Sequence, residues 1–192
     1  MNELPSPNSI ANLFQLLHDR QIPYLLVGGV AMLAYVEGRN TQDIDLLVYP
    51  EAIEALPELE VSSRDGNFAR ATLDGLQIDL LLTSNRLFLE VMREFGEGQA
   101  ILHSFGSQQV KVIRPTGLAI LKLYALPSLY RQGRFQRANL YESDITALKL
   151  EFPELNLDSA VARLNGHLLD SDIQEVQGIC YDIVTRVNRM KG

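Results

Sequence analysis

The segment YLLVGGVAMLAYVEGRNTQDIDLLV, from Tyr24 to Val48, constrains the fold more than any other part of the chain. Ile22 to Val27 reads as a short buried strand, and Gly28-Gly29 breaks it before a helical pattern from Val30 to Val36. Glu37-Gly38 offers a helix end, because glycine accepts the left-handed conformation that follows a last turn. Asp43 to Val48 then returns to strand formers until Pro50 stops it. Side chains alternate along a strand, so Asp43 and Asp45 are expected to face one way, their Cα atoms about 7 Å apart, with Ile44 and Leu46 opposite. Two such carboxylates repel unless they stay solvated, take a proton or share a cation. Mg²⁺ suits them best, since it prefers hard oxygens and completes its shell with water and phosphate oxygens. The pair therefore predicts a metal and a phosphate ligand together.

Gly28-Gly29 stands where the strand gives way to the helix. Without side chains, phosphate oxygens can approach the backbone N–H groups at a helix start; the alternative is a purely conformational turn. The third carboxylate is Asp79 in LQIDLLL, which follows the turn dipeptide Asp74-Gly75. Phe68 to Leu73 and Leu76 to Leu82 are expected to pair as an antiparallel hairpin around that turn. Burying Asp79 unpaired would be costly. Beside Asp43 and Asp45 it could act as general base on an incoming hydroxyl and help hold a second metal ion. Otherwise it lies on an exposed sheet face or pairs with an arginine.

Elsewhere, Asn8 or Ser9 is expected to cap a first helix with Ile10, Leu13, Phe14 and Leu17 on one face. Glu51 to Leu56 and Arg86 to Phe95 read as helices, and Ala100 to His103 pairs with Gln109 to Ile113 around Gly106-Ser107. From Pro115 the pattern turns helical, with Thr116 as cap and Leu118, Leu121, Ala125 and Leu129 on one face. Further helices are expected at Asn139 to Leu150, Asp158 to Leu168 and Ser171 to Arg189. The reading is an α/β (α+β) core over residues 1–114, a mixed sheet flanked by helices, with a helical region over 115–192 packed on it.

Composition removes other classes. Hydrophobic residues make up 46% and charged residues 21%, an ordinary globular balance. No apolar run approaches the roughly 20 residues that span a bilayer, and MNELPSPNSI does not resemble a secretory signal, so cytoplasmic residence is expected. The single cysteine, Cys180, excludes an intrachain disulfide and a cysteine-rich zinc site. His18, His103 and His167 form no ligand spacing. A net charge of −7 argues against long-range attraction to nucleic acid, leaving Arg131, Arg134 and Arg137 as a local basic patch or a solvated surface.

Taken together, Gly28-Gly29, Asp43-Ile44-Asp45 and the distant Asp79 resemble the polymerase-beta-like nucleotidyltransferase superfamily. Gly28-Gly29-Val30-Ala31 and Gly38-Arg39-Asn40-Thr41-Gln42-Asp43-Ile44-Asp45-Leu46 are most similar to a small prokaryotic branch of abortive-infection toxins and minimal nucleotidyltransferase antitoxins. The resemblance implies that Asp43, Asp45 and Asp79 bind two Mg²⁺ ions, with Mn²⁺ as a substitute, and that Gly28-Gly29 contacts a nucleoside triphosphate. It also implies nucleoside monophosphate transfer to a hydroxyl of RNA or protein. In the toxin-like branch a lysine on the helix after the sheet assists nucleotide binding, and Lys122 in GLAILKLYAL matches it; otherwise Lys122 packs its stem and leaves its head in water. Arg39 and Thr41 recur in the motif, as supports of the aspartates or as substrate contacts. The acidic pair on a following helix in those relatives is matched here by Asp144 alone. Two alternatives stand beside transfer: an antitoxin-like, partner-binding subunit, and a glycosyltransferase using Asp-x-Asp with a nucleotide sugar.

Overall fold

A computed structural model describes residues 7–37, 41, 43–97, 100–105 and 108–191. The chain divides into two units, Met1–Arg114 and Pro115–Gly192. In the first, α1 (Pro7–Asp19) buries Leu13, Phe14 and Leu17, as their spacing requires. Asn8 and Ser9 are not caps; they lie within the first turn, because a proline preset for helical φ opens the helix before them. The Ser9 hydroxyl instead donates to the Asp74 carbonyl at 3.2 Å, and the Asn12 amide donates to the Asp74 carboxylate at 2.8 Å.

After α1 come β1 (Tyr24–Val27), α2 (Gly28–Met32), β2 (Ile44–Val48), α3 (Glu51–Ala55), β3 (Glu60–Arg64), β4 (Phe68–Leu73) and β5 (Leu76–Leu82). Next are α4 (Arg86–Val91), which continues into a π-helical turn at Met92–Gly96, then β6 (Ile101–Phe105) and β7 (Gln108–Val112). These strands form one seven-stranded mixed sheet in the order β3-β4-β5-β2-β1-β7-β6. β2 runs parallel to β5 and β1 parallel to β7, while the other neighbours are antiparallel. Helices flank the sheet, with α1 beside β7 and α4 beside β5.

The hairpin joining β4 and β5 turns through Asp74 (φ 49°) and Gly75 (φ 78°), the two left-handed residues whose twist suits a tight hairpin. Asn85 caps α4 by accepting from the Leu87 and Phe88 amides. β2 sits between β5 and β1, so Ile44, Leu46, Leu47 and Val48 are all buried.

Three elements differ from the sequence pattern. β3 is an additional strand, exposed along its length, whose pairing with β4 rather than any apolar alternation makes it extended. α2 stops at Met32 in a series of turns, and the Tyr35 hydroxyl donates to the Ile113 carbonyl at 2.6 Å. β2 begins at Ile44, leaving Asp43 just ahead of the strand. The readings on Gly38 and on Gly106-Ser107 lie outside the described residues.

The second unit contains α5 (Pro115–Arg131), α6 (Phe135–Glu151), α7 (Leu157–Ala162) and α8 (Asp170–Lys191). Pro115 again opens its helix, which places Thr116 inside α5 rather than at its cap. Residues Gly117 to Leu123 are buried in succession, so this stretch of α5, which contacts α6, α7 and α8, is covered on all sides instead of presenting one apolar face. α7 ends at Ala162, short of the expected Leu168, in turns that include the left-handed Gly166 (φ 81°). Among the described residues no helix is long and apolar enough to cross a membrane.

Candidate functional site

Gly28 and Asp45 form a single packed unit. β1 and β2 are antiparallel with Val27 opposite Asp45, so the turn out of β1 closes directly over that carboxylate. Gly28 has φ 66°, and a Cβ built on it would stand 2.0 Å from Asp45 Oδ2. Only glycine meets both the conformation and the approach. The Gly29 amide then donates to the same oxygen at 3.2 Å. The sequence suggested these amides as a phosphate cradle; in this arrangement the Gly29 amide donates to Asp45 and helps fix its carboxylate.

Asp79 joins Asp45 through strand register. In the parallel pairing of β2 with β5, Asp45 lies opposite Asp79, which sets their backbones ~4.8 Å apart and aims both side chains to one face. Along β5 the other face carries the buried Leu76, Ile78, Leu80 and Leu82. Asp43 is exposed and lies two positions ahead of Asp45, on the approach to the same strand end.

Arg70 completes the group. β4 places it opposite Asp79, and its guanidinium donates Nε to Oδ1 at 2.7 Å and its second nitrogen to Oδ2 at 3.0 Å. This two-pronged contact is the arginine-paired alternative for Asp79. Hydrogen bonding to Asp79 and then the charge of Asp79 raise the Arg70 guanidinium further above its ordinary value; burial opposes them, and the charges of Asp43 and Asp45 add smaller contributions in the same upward direction. All three carboxylates therefore act electrostatically on one arginine. The sequence reading did not name Arg70, although the signal was present. Counting back from the two-residue Asp74-Gly75 turn pairs Leu73 with Leu76, Thr72 with Gln77, Ala71 with Ile78 and Arg70 with Asp79.

Among the described residues, no group of three His, Cys, Asp or Glu side chains is already arranged to hold a metal ion. The donors nevertheless fit Mg²⁺ chemically, since Asp43, Asp45 and Asp79 offer only hard carboxylate oxygens. Asp79 has both oxygens engaged by Arg70 in this arrangement.

Lys122 belongs to the second unit, where its Nζ lies 2.7 Å from Asp144 Oδ2 and 4.4 Å from the centre of the Tyr141 ring. Both members of that ion pair are buried, so the Lys122 head is not solvated as an amphipathic lysine would be. In the arginine patch, Arg131 pairs with Asp172 at 2.5 Å and Arg137 lies over Tyr141, so neither is a loose surface cation. Arg39 lies outside the described residues, and Thr41 is half-buried.

No family model matches the chain, and no curated protein matches it. Solved structures do match. An antigenic nucleotidyltransferase-like protein from Paracoccidioides brasiliensis aligns over 88% of this chain and 91% of its own, at 17% identity and a TM-score of 0.51. ANT(2")-Ia, in complex with adenylyl-2"-tobramycin, aligns over 83% of this chain and 95% of its own, at 12% identity and a TM-score of 0.52. The chain has the nucleotidyltransferase fold. The Megavirus polyadenylate synthase shares that fold at a TM-score of 0.50 and 11% identity, over 79% of this chain and 33% of its own length. Within this nucleotidyltransferase fold, Asp45 near the start of β2 lies between Val27, where β1 runs into the glycines, and Asp79 at the middle of β5.

Proposed function

We propose that the chain is a Mg²⁺-dependent nucleotidyltransferase that moves a nucleoside monophosphate from a nucleoside triphosphate to a hydroxyl. The observation that carries this reading is the register of Asp45 with Asp79, with Asp45 fixed by Gly28-Gly29. Asp43, Asp45 and Asp79 would hold the metal, with Mn²⁺ as a substitute. When bound, Mg²⁺ supplies charge neutralisation for the triphosphate and the leaving pyrophosphate. Gly28 and Gly29, bare of side chains, would contact the triphosphate, and Lys122 is proposed as a further nucleotide contact. In the transfer, the acceptor oxygen bonds to the α-phosphorus as the bond to the bridging oxygen breaks. Asp79 takes the hydroxyl proton.

The acceptor is proposed to be RNA or protein, in a toxin-antitoxin or phage-defence setting within the cytoplasm. The adenylylated tobramycin bound by ANT(2")-Ia adds small-molecule hydroxyls to the acceptors to be tried. Full-length protein incubated with Mg²⁺, each labelled nucleoside triphosphate, and RNA, protein and aminoglycoside fractions should label one fraction. Asp43→Asn should abolish that labelling. Unlabelled fractions across all four nucleotides, with wild type and Asp43→Asn indistinguishable, would reject transferase activity.

A partner-binding, antitoxin-like subunit is the second reading, favoured by the exposed Phe135, Leu169 and Tyr181 of the helical unit. Co-elution with the product of an adjacent gene would support it, and a monomer unaffected by that product would count against it.

A further inference from the structure

The Arg70–Asp79 contact has no counterpart among the residues that the metal reading requires. Asp45 and Asp79, side by side on one face with Asp43 just ahead of β2, repel each other when no cation is present. Arg70 meets that repulsion within the chain: it reaches the Asp79 carboxylate with two nitrogens, and the charges of Asp43 and Asp45 also act on it. A divalent ion and a guanidinium cannot both sit against the same carboxylate without strong mutual repulsion. The Arg70 side chain is 54% exposed, so it can leave Asp79 for water, whereas Asp79 is fixed in the strand and only 20% exposed.

We propose that Arg70 is an internal counter-cation that occupies Asp79 while the site lacks metal and must move away as the metal loads, so that Arg70 sets the metal affinity of the site. The inference rests on the metal-dependent reading above. Arg70 is a positioning residue: its exchange determines when the Asp79 oxygens become available to metal and to an acceptor proton. A further consequence is that the metal-free site is held in order instead of splaying apart by charge repulsion.

The test uses the full-length chain and Mn²⁺ alone, with free Mn²⁺ followed by electron paramagnetic resonance and folding checked by circular dichroism. Arg70→Gln should bind Mn²⁺ about tenfold more tightly than wild type, and Arg70→Lys, which keeps the charge but loses the fork, should fall between them. A general charge effect would give the same gain whatever Asp79 is. An exchange at Asp79 predicts that the gain shrinks to less than about threefold in an Asp79→Asn background. Equal affinities for wild type, Arg70→Gln and Arg70→Lys would overturn the proposal, as would an undiminished gain with Asp79→Asn. If binding depends on Asp43 but not on Arg70, the metal reading survives and this inference fails. If no form takes up Mn²⁺, both fail.

Discussion

Two aspartate–cation pairs in this chain differ in nearly every respect that governs what an ion pair can do. In the helical unit, Lys122 and Asp144 meet at 2.7 Å with side chains 4% and 6% exposed. On the sheet, Arg70 and Asp79 also meet at 2.7 Å, with 54% and 20% exposure. Removing one partner of the buried pair leaves the other charge without its ion partner and out of reach of water, so the pair is locked. The sheet pair has water at hand, and each partner can be solvated alone. Equal distances therefore conceal opposite roles: one pair commits a helix core to a single packing, while the other can exchange partners.

The largest expected effect is at the locked pair. Lys122→Met should destabilise the protein by about 3–5 kcal/mol in urea denaturation, and Lys122→Met combined with Asp144→Leu should recover most of that loss. An unchanged midpoint in the single variant would break the comparison. Nucleotide affinity measured in the folded double variant separately tests the contact proposed for Lys122.

Gly28→Ala comes next. The left-handed backbone and the 2.0 Å approach to Asp45 predict a loss of about 2 kcal/mol by chemical denaturation. Displacement of Asp45 should reduce any transfer rate about a hundredfold. A variant with wild-type stability would show that Gly28 is not needed for the packing of the carboxylate.

Tyr35→Phe should cost about 1 kcal/mol by removing the hydrogen bond to the Ile113 carbonyl. Burial is the main cause that pushes the Tyr35 phenol up to about 12, partly offset by the charge of Arg114. Folding thus favours the neutral phenol. The associated stability is fully present below the unfolded value of about 10 and is lost as pH rises from there through 12. Stability measured across that window should fall more steeply in wild type than in Tyr35→Phe.

Arg70→Gln is expected to have the smallest effect on stability, below about 1 kcal/mol, because its pair is exposed. A large loss would move this pair into the locked class and sharpen the contrast in the opposite direction.

Residues whose chemistry is local were the most readable. Asp74-Gly75 announced its hairpin, Pro50 ended β2, and the Leu13, Phe14 and Leu17 spacing announced a helix face, because each acts over a few neighbouring residues. Asp43, Asp45 and Asp79 stood out by type and spacing, and the register of Asp45 with Asp79 follows from strand pairing. What Asp79 touches depends on strand β4 and remained open as a pair of alternatives. β3 escaped notice because its extended form comes from its partner strand and not from EVSSR itself. α5 looked amphipathic because a few leucines matched a helical period, yet its surroundings bury every side, including Lys122. The Gly28 requirement was partly visible: a Gly-Gly turn can be read, but the oxygen that excludes a Cβ comes from another strand.

The pairing of β1 with β7 bears on how the first unit can be made. Leu26 pairs with Val112, and the Ile113 amide donates to the Leu26 carbonyl at 3.0 Å, so one of the earliest strands to be synthesised waits for the last strand of its unit. Until then β1 has its second edge unpaired beside buried Leu25 and Leu26, which is the kind of open edge other chains can join. Emergence of β7 from the ribosome thus marks the point at which this half of the protein can close, and a polypeptide stopped just ahead of it would carry Asp45 and Asp79 on a sheet with an open edge prone to aggregation.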